Sequence, residues 1–71
     1  MDIITRAEAL FASSLRPSDR PGKTQVEAAI AATLRKLGLT GCVGAMAQEF
    51  GDYPETAASR MRWALALVGS L

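Results

Sequence analysis

The residues that say most about the architecture lie in segment 40–68, and they read TGCVGAMAQEFGDYPETAASRMRWALALV. Apolar residues at helical spacing predict a helix over about 41–50. Gly51 and Pro54 then indicate a sharp turn, because glycine adopts backbone angles closed to other residues and proline fits the first turn of a new helix. The apolar pattern resumes after the turn and predicts a further helix over about 54–68.

The N-terminal third predicts a first helix over about 3–15, with Asp2 as its N-cap. Two prolines and a glycine in residues 16–22 then interrupt any helix. The apolar residues of this first helix recur every three or four positions and predict one buried stripe. The stripe consists of Ile3, Ile4, Ala7, Leu10, Phe11 and Leu15.

A second helix is predicted over about 25–37. Thr24 and Glu27 have the spacing of a capping box, and Gly38 fits the left-handed position just past a helix end. Thr40 is then the expected N-cap of the third helix. The predicted buried residues of the second, third and fourth helices are Val26, Ala29, Ile30, Thr33, Leu34 and Leu37; Val43, Met46, Ala47 and Phe50; and Ala57, Ala58, Met61, Ala64, Leu65 and Val68.

No segment shows the alternation typical of a strand, so we predict an all-α fold with four helices in one compact domain over residues 1–71. A chain of this size buries only about 60% of the surface that its unfolded form exposes. Its stability is therefore expected to be small or to be supplemented by self-association.

Composition excludes several classes of function. The net charge is +1 and there is no His, so neither a strongly basic surface nor a Cys/His metal site is expected. With Ser13 and Ser14 lacking a nearby base, and with no paired carboxylates in a plausible cleft, we expect neither an enzyme nor a cofactor. No apolar run approaches the roughly 20 residues of a membrane span.

Cys42 is the only cysteine, which excludes an intrachain disulfide and suits a reducing, cytoplasmic setting. The simpler interpretation makes Cys42 a small buried apolar residue at the start of a helix. The alternative is a thiol of low pKa at a helix N-terminus, but no cluster of cations accompanies it.

Segment 43–65 resembles the helix-turn-helix pattern. In that family a small residue in the first helix is followed four positions later by glycine at the turn. Ala47 and Gly51 match these positions, and Met46 and Phe50 serve as the apolar anchors. The alanine allows close approach of two helices, and the glycine takes a special backbone angle.

The family's apolar positions in the second helix fall on Ala57 and Arg60, where a buried arginine is disfavoured. One extra residue in the turn moves them to Ala58 and Met61. The resemblance implies a small DNA-binding regulator or accessory transcription factor. In that alternative the DNA-contacting residues would be Arg35, Lys36, Thr56, Ser59, Arg60 and Arg62. Placement near the negative end of a helix dipole also explains Arg35 and Lys36.

The last helix carries Trp63 and Leu67 beside its main apolar stripe, so it is apolar around much of its circumference. One interpretation makes this helix the central element, with the first helix covering both side chains. The alternative is that Arg60, Arg62, Trp63 and Leu67 form a contact surface, since Trp and Arg are common interface anchors. The chain would then be a non-enzymatic interaction module that self-associates or binds a protein partner through its last helix.

Overall fold

The computed structural model describes all 71 residues, and these form helices with no strand. The helices are α1 (Ile3–Ala12), α2 (Lys23–Asp52) and α3 (Pro54–Gly69), with a single 3-10 turn at Pro17–Asp19 between α1 and α2. The prediction of an all-α fold is confirmed. The predicted number of four helices is wrong, because the second and third predicted helices run together as α2.

α2 is sharply bent at Gly38. A straight helix of its 30 residues would be about 45 Å long, whereas the longest dimension of the molecule is 30 Å. Gly38 has φ 70° and ψ 174°, a combination that is essentially restricted to glycine. The bend divides α2 into an N-terminal arm (residues 23–37) and a C-terminal arm (residues 39–52).

Gly38 therefore has the positive φ that the sequence predicted. Thr40 does not act as the predicted N-cap, because its side chain makes no hydrogen bond and its own backbone is helical.

The sharp turn predicted over residues 51–54 is confirmed, and it is made at Tyr53. The prediction that Gly51 breaks the helix is wrong, since α2 continues to Asp52 and Gly51 has no positive φ. Tyr53 has φ −139° and ψ 68°. Pro54 explains this conformation, because a proline ring disfavours the α-helical region for the residue before it. The predicted start of α3 at Pro54 is confirmed.

The ends of α1 are fixed by side chains. Asp2 is the N-cap as predicted, and its Oδ1 accepts a 2.7 Å hydrogen bond from the Thr5 amide. This hydrogen bond lowers the pKa of the Asp2 carboxyl group. α1 ends three residues earlier than predicted, because Ser13 is extended and its hydroxyl donates to the carbonyl oxygen of Leu10 at 2.6 Å.

The start of α2 differs from the predicted capping box. Gly22 is the N-cap, and its amide donates to Oε1 of Gln25 at 2.9 Å. Glu27 instead forms an ion pair with Arg6 of α1. Both side chains are partly exposed, so this pair adds at most about 1 kcal/mol to stability.

α1 is the helix that the others cover. Ala7, Ala9, Leu10 and Phe11 are at most 1% exposed. Ala7 and Ala9 lie about 200° apart around the helix, on nearly opposite sides, so α1 is buried on two sides. The interpretation that placed the last helix at the centre is therefore wrong. The buried cluster joins Ala7, Ala9, Leu10, Val26, Ile30, Cys42, Ala64 and Val68.

The first turn of α1 lies outside this core. Ile3 and Ile4 are 51% and 59% exposed, so the prediction that they belong to the buried stripe is wrong. The enclosed part of α1 begins at Ala7, one turn further along the helix.

Candidate functional site

The most unusual side chain in the molecule is Arg60, which points from α3 toward the end of α1. Its Nη2 donates to the carbonyl oxygen of Ser13 at 3.0 Å, and its Cζ lies 4.8 Å from the centroid of the Phe11 ring. Phe11 also stacks on Phe50 of α2, with ring centroids 5.9 Å apart. These contacts join all three helices, and the guanidinium over an aromatic face adds a cation–π attraction.

Arg16 converges on the same oxygen atom. The last carbonyl groups of a helix have no partner within it and attract cations. The carbonyl of Ser13, just past the end of α1, accepts from Nη1 of Arg16 and from Nη2 of Arg60, both at 3.0 Å. Nη1 of Arg16 also donates to the carbonyl of Leu15 at 3.0 Å. Two guanidinium groups thus share one acceptor.

Neither arginine has a carboxylate partner, because the single ion pair in the structure joins Arg6 and Glu27. Burial lowers the pKa of Arg60, the nearby charge of Arg16 lowers it further, and Glu49 acts in the opposite direction with a smaller effect. The Nε of Arg60 is buried and has no hydrogen-bond acceptor. Such an unsatisfied donor is rare in folded proteins.

These two side chains border an open cleft of about 590 Å³, which we call the Arg16–Arg60 cleft. It contains no apolar side chain other than the Pro17 ring. Its lining consists of Arg16, Pro17, Glu49, Glu55, Thr56, Ser59 and Arg60. The cleft therefore presents two cations, two carboxylates and two hydroxyl groups.

A second unusual surface lies on the C-terminal arm of α2. Cys42 is buried at 2% exposure and marks the inner side of this arm. The exposed residues that lie about 60° to 200° around the helix from Cys42 are all uncharged, and we call this side the outer face. The outer face consists of Leu39, Thr40, Val43, Gly44, Ala47 and Gly51.

Two residues of the outer face were predicted to be buried, and both predictions are wrong. Val43 is 44% exposed and Ala47 is also exposed, although both were expected to be buried. They lie about 100° and 140° around the helix from Cys42. The packing of Cys42 on α1 therefore turns both side chains outward. Ala47 and Gly51 do not make the close approach and special backbone angle that the helix-turn-helix pattern requires of them.

The four residues predicted to form a partner surface on α3 do not all lie on one face of the helix. Trp63 and Leu67 are half-buried and pack against the core cluster, and Arg60 is directed toward Ser13. Arg62 is exposed and lies about 200° around the helix from Arg60.

The residues of the DNA-binding alternative fall into separate groups. Thr56 and Ser59 are exposed on α3 and line the Arg16–Arg60 cleft together with Arg60. Arg35 and Lys36 are exposed on the N-terminal arm of α2, and neither belongs to that cleft.

Sequence reasoning missed Arg16, Glu49 and the carbonyl of Ser13. The Arg60–Ser13 hydrogen bond joins residues 47 positions apart, and no periodicity or motif signals a contact of that kind. The interpretation of Cys42 as a buried residue is confirmed. Burial raises the pKa of the Cys42 thiol and Glu8 raises it further, which is the opposite of what a reactive thiolate requires.

Comparison of the chain with protein-family models, with curated proteins and with solved structures gives no match. None of the helices combines the length and the apolar character needed to cross a membrane. No three acidic or cysteine side chains are grouped so as to hold a metal ion. Function must therefore be inferred from the two surfaces described above.

Proposed function

We propose that the chain is a non-enzymatic helical interaction module that self-associates, and that the second copy docks on the outer face of α2. The observation that carries this proposal is an exposed helix face that has two large apolar residues, Leu39 and Val43, and no charge. We place the contact on α2 because Trp63 and Leu67 of α3 already pack within their own chain.

Two glycines on the outer face support a close helix–helix contact. A Cβ atom added at Gly44 or Gly51 would meet nothing within 4 Å, and neither residue has a positive φ. Glycine inside a helix lowers stability by about 1 kcal/mol relative to alanine. No contact within the chain requires a glycine at either position. A second helix lying close against this face gives a reason for both glycines, because small side chains let two helix axes approach.

A second copy is the occupant that suits this face best. In a two-fold dimer the same patch meets itself, so a face with no charge avoids self-repulsion. It also offers no charge by which to select an oppositely charged partner. Covering Leu39 and Val43 would contribute on the order of 1–2 kcal/mol for each residue, in a domain whose own core is small.

The oligomeric state tests this proposal. We expect sedimentation equilibrium of the wild-type chain to show a reversible monomer–dimer equilibrium. Val43→Lys places a charge in the contact, and Gly44→Leu blocks close approach without a clash inside the chain, so both variants should remain monomeric. Ala28→Lys, at an exposed position on the N-terminal arm, is the matched control and should dimerise normally. A wild-type chain that stays monomeric at millimolar concentration would contradict the proposal.

The alternative proposal is a helix-turn-helix DNA-binding regulator. It is supported by the exposure of Thr56 and Ser59 near the start of α3, where a recognition helix contacts base edges. It has less support than self-association, because the Arg60 guanidinium is held by Ser13 and Phe11. Titration of a random-sequence duplex at low salt separates the two proposals. DNA binding would weaken steeply as salt is added, and no binding at low salt would exclude this alternative.

A further inference from the structure

We propose that the Arg16–Arg60 cleft binds a single oxyanion group, a phosphate or a carboxylate, between the two guanidinium groups and the hydroxyls of Thr56 and Ser59. The cleft shares no residue with the outer face. Anion binding is therefore independent of self-association, and each proposal can fail without the other.

The first argument is the number of unused donors. A guanidinium group has five N–H donors and no acceptor. Arg60 uses only Nη2 on a protein acceptor, and Arg16 uses only Nη1. Nη1 of Arg60 and Nη2 of Arg16 therefore donate to no protein atom, although the two groups meet at the Ser13 carbonyl. An oxyanion supplies acceptors for such donors, and its geometry suits the planar fork of a guanidinium group.

The second argument is the fixed position of Arg60. Its guanidinium is held over the Phe11 ring and bonded to Ser13, and its Nε is enclosed. A side chain that is already ordered loses little conformational entropy on binding. Partial burial also weakens solvent screening, so an anion between the two cations gains more than it would at an open surface.

The third argument concerns the charge of the ligand. Glu49 and Glu55 line the same cleft, yet neither forms an ion pair with an arginine. Their charges disfavour a ligand with several negative groups. The cleft therefore suits one phosphate or carboxylate group, and a polyphosphate should bind no more tightly than inorganic phosphate.

Binding can be measured by titrating the wild-type chain with sodium phosphate, sodium acetate or sodium tripolyphosphate at constant ionic strength, with sodium chloride as the reference. The readout is the NMR signals of the arginine Nε–Hε groups. We expect saturable shifts for Arg16 and Arg60 with a dissociation constant on the order of 1 mM, and no saturable shift with chloride. Whichever of phosphate and acetate binds more tightly identifies the oxyanion.

Variants test which residues bind the anion. Arg16→Gln should weaken binding about tenfold, the loss expected for one charge-assisted hydrogen bond, and Ser59→Ala should weaken it less. Arg62→Gln is the matched control, since Arg62 is exposed on the same helix and does not line the cleft. Substitution of Arg60 would disturb the Phe11 contact, so the test does not depend on it. No saturable shift in the wild type, or equal weakening in Arg16→Gln and Arg62→Gln, would overturn the proposal.

Discussion

The glycines on the two sides of Cys42 in α2 are of different kinds. At the bend, Gly38 has φ 70° and a Cβ added at Gly41 would lie 2.9 Å from the Cβ of Leu37. Further along, Gly44 and Gly51 have ordinary helical angles and open space around them. The first pair is therefore required by the fold of the chain, whereas the second pair is not. The comparison teaches that a glycine in a sequence does not itself indicate a turn.

Gly38→Ala should have the largest effect. Alanine would have to adopt a φ/ψ combination that is essentially restricted to glycine, at a cost of about 2–3 kcal/mol. Urea denaturation of the variant should show this loss in the free energy of unfolding. An unchanged midpoint would mean that the bend does not need glycine, and the contrast between the two pairs of glycines would disappear.

Gly41→Ala should destabilise the domain less. The added methyl group meets the Cβ of Leu37, an atom that cannot move without the backbone, and such overpacking costs about 1–3 kcal/mol. The better helix propensity of alanine offsets this loss of stability by about 1 kcal/mol. We expect a net loss of about 1 kcal/mol by the same denaturation measurement. A gain in stability would show that the bend widens easily.

Gly44→Ala and Gly51→Ala should each increase the stability of the dilute monomer, by up to about 1 kcal/mol. Thermal unfolding at low protein concentration measures this gain. The same variants at high concentration should dimerise less readily if the outer face packs closely on a second copy. Destabilisation comparable to that of Gly41→Ala would contradict the proposed difference between the two pairs of glycines.

The smallest effect concerns Cys42, which lies between the two pairs on the inner side of the arm. Its thiol has a pKa raised above the ordinary 9.0 by burial and by Glu8. The unfolded chain therefore loses this proton at a lower pH than the folded chain. The thiol's contribution to stability is complete below about pH 9 and is lost as the pH rises above that value.

Unfolding measured at pH 8 and at pH 10.5 should therefore show a larger loss of stability for the wild type than for Cys42→Ala. Equal losses in the two proteins would show that the thiol is not enclosed and that the inner side of the arm is loosely packed around Cys42.

The local features of the fold were predictable from the sequence. Asp2 caps α1, Gly38 takes a positive φ and Pro54 begins α3, because each depends on a residue and its immediate neighbours. The sharp turn over residues 51–54 was predictable in the same way, and its position at Tyr53 reflects the constraint that proline places on the preceding residue.

The tertiary features were not predictable in the same way. The central position of α1 depends on Ala7 and Ala9, whose small side chains contribute little to an apolar pattern although they allow helices to approach. The Arg16–Arg60 cleft depends on the packing of α3 against the end of α1, which no local pattern encodes. The face of α2 that points outward was likewise set by the contact of Cys42 with α1.

Protein synthesis produces α1 before either of the helices that cover it. The side of α1 that packs on α3 therefore stays in contact with water until α3 has left the ribosome. A chain interrupted before Pro54 would keep one side of α1 permanently uncovered. Such a fragment would be a target for chaperones and proteases, because uncovered apolar surface promotes aggregation.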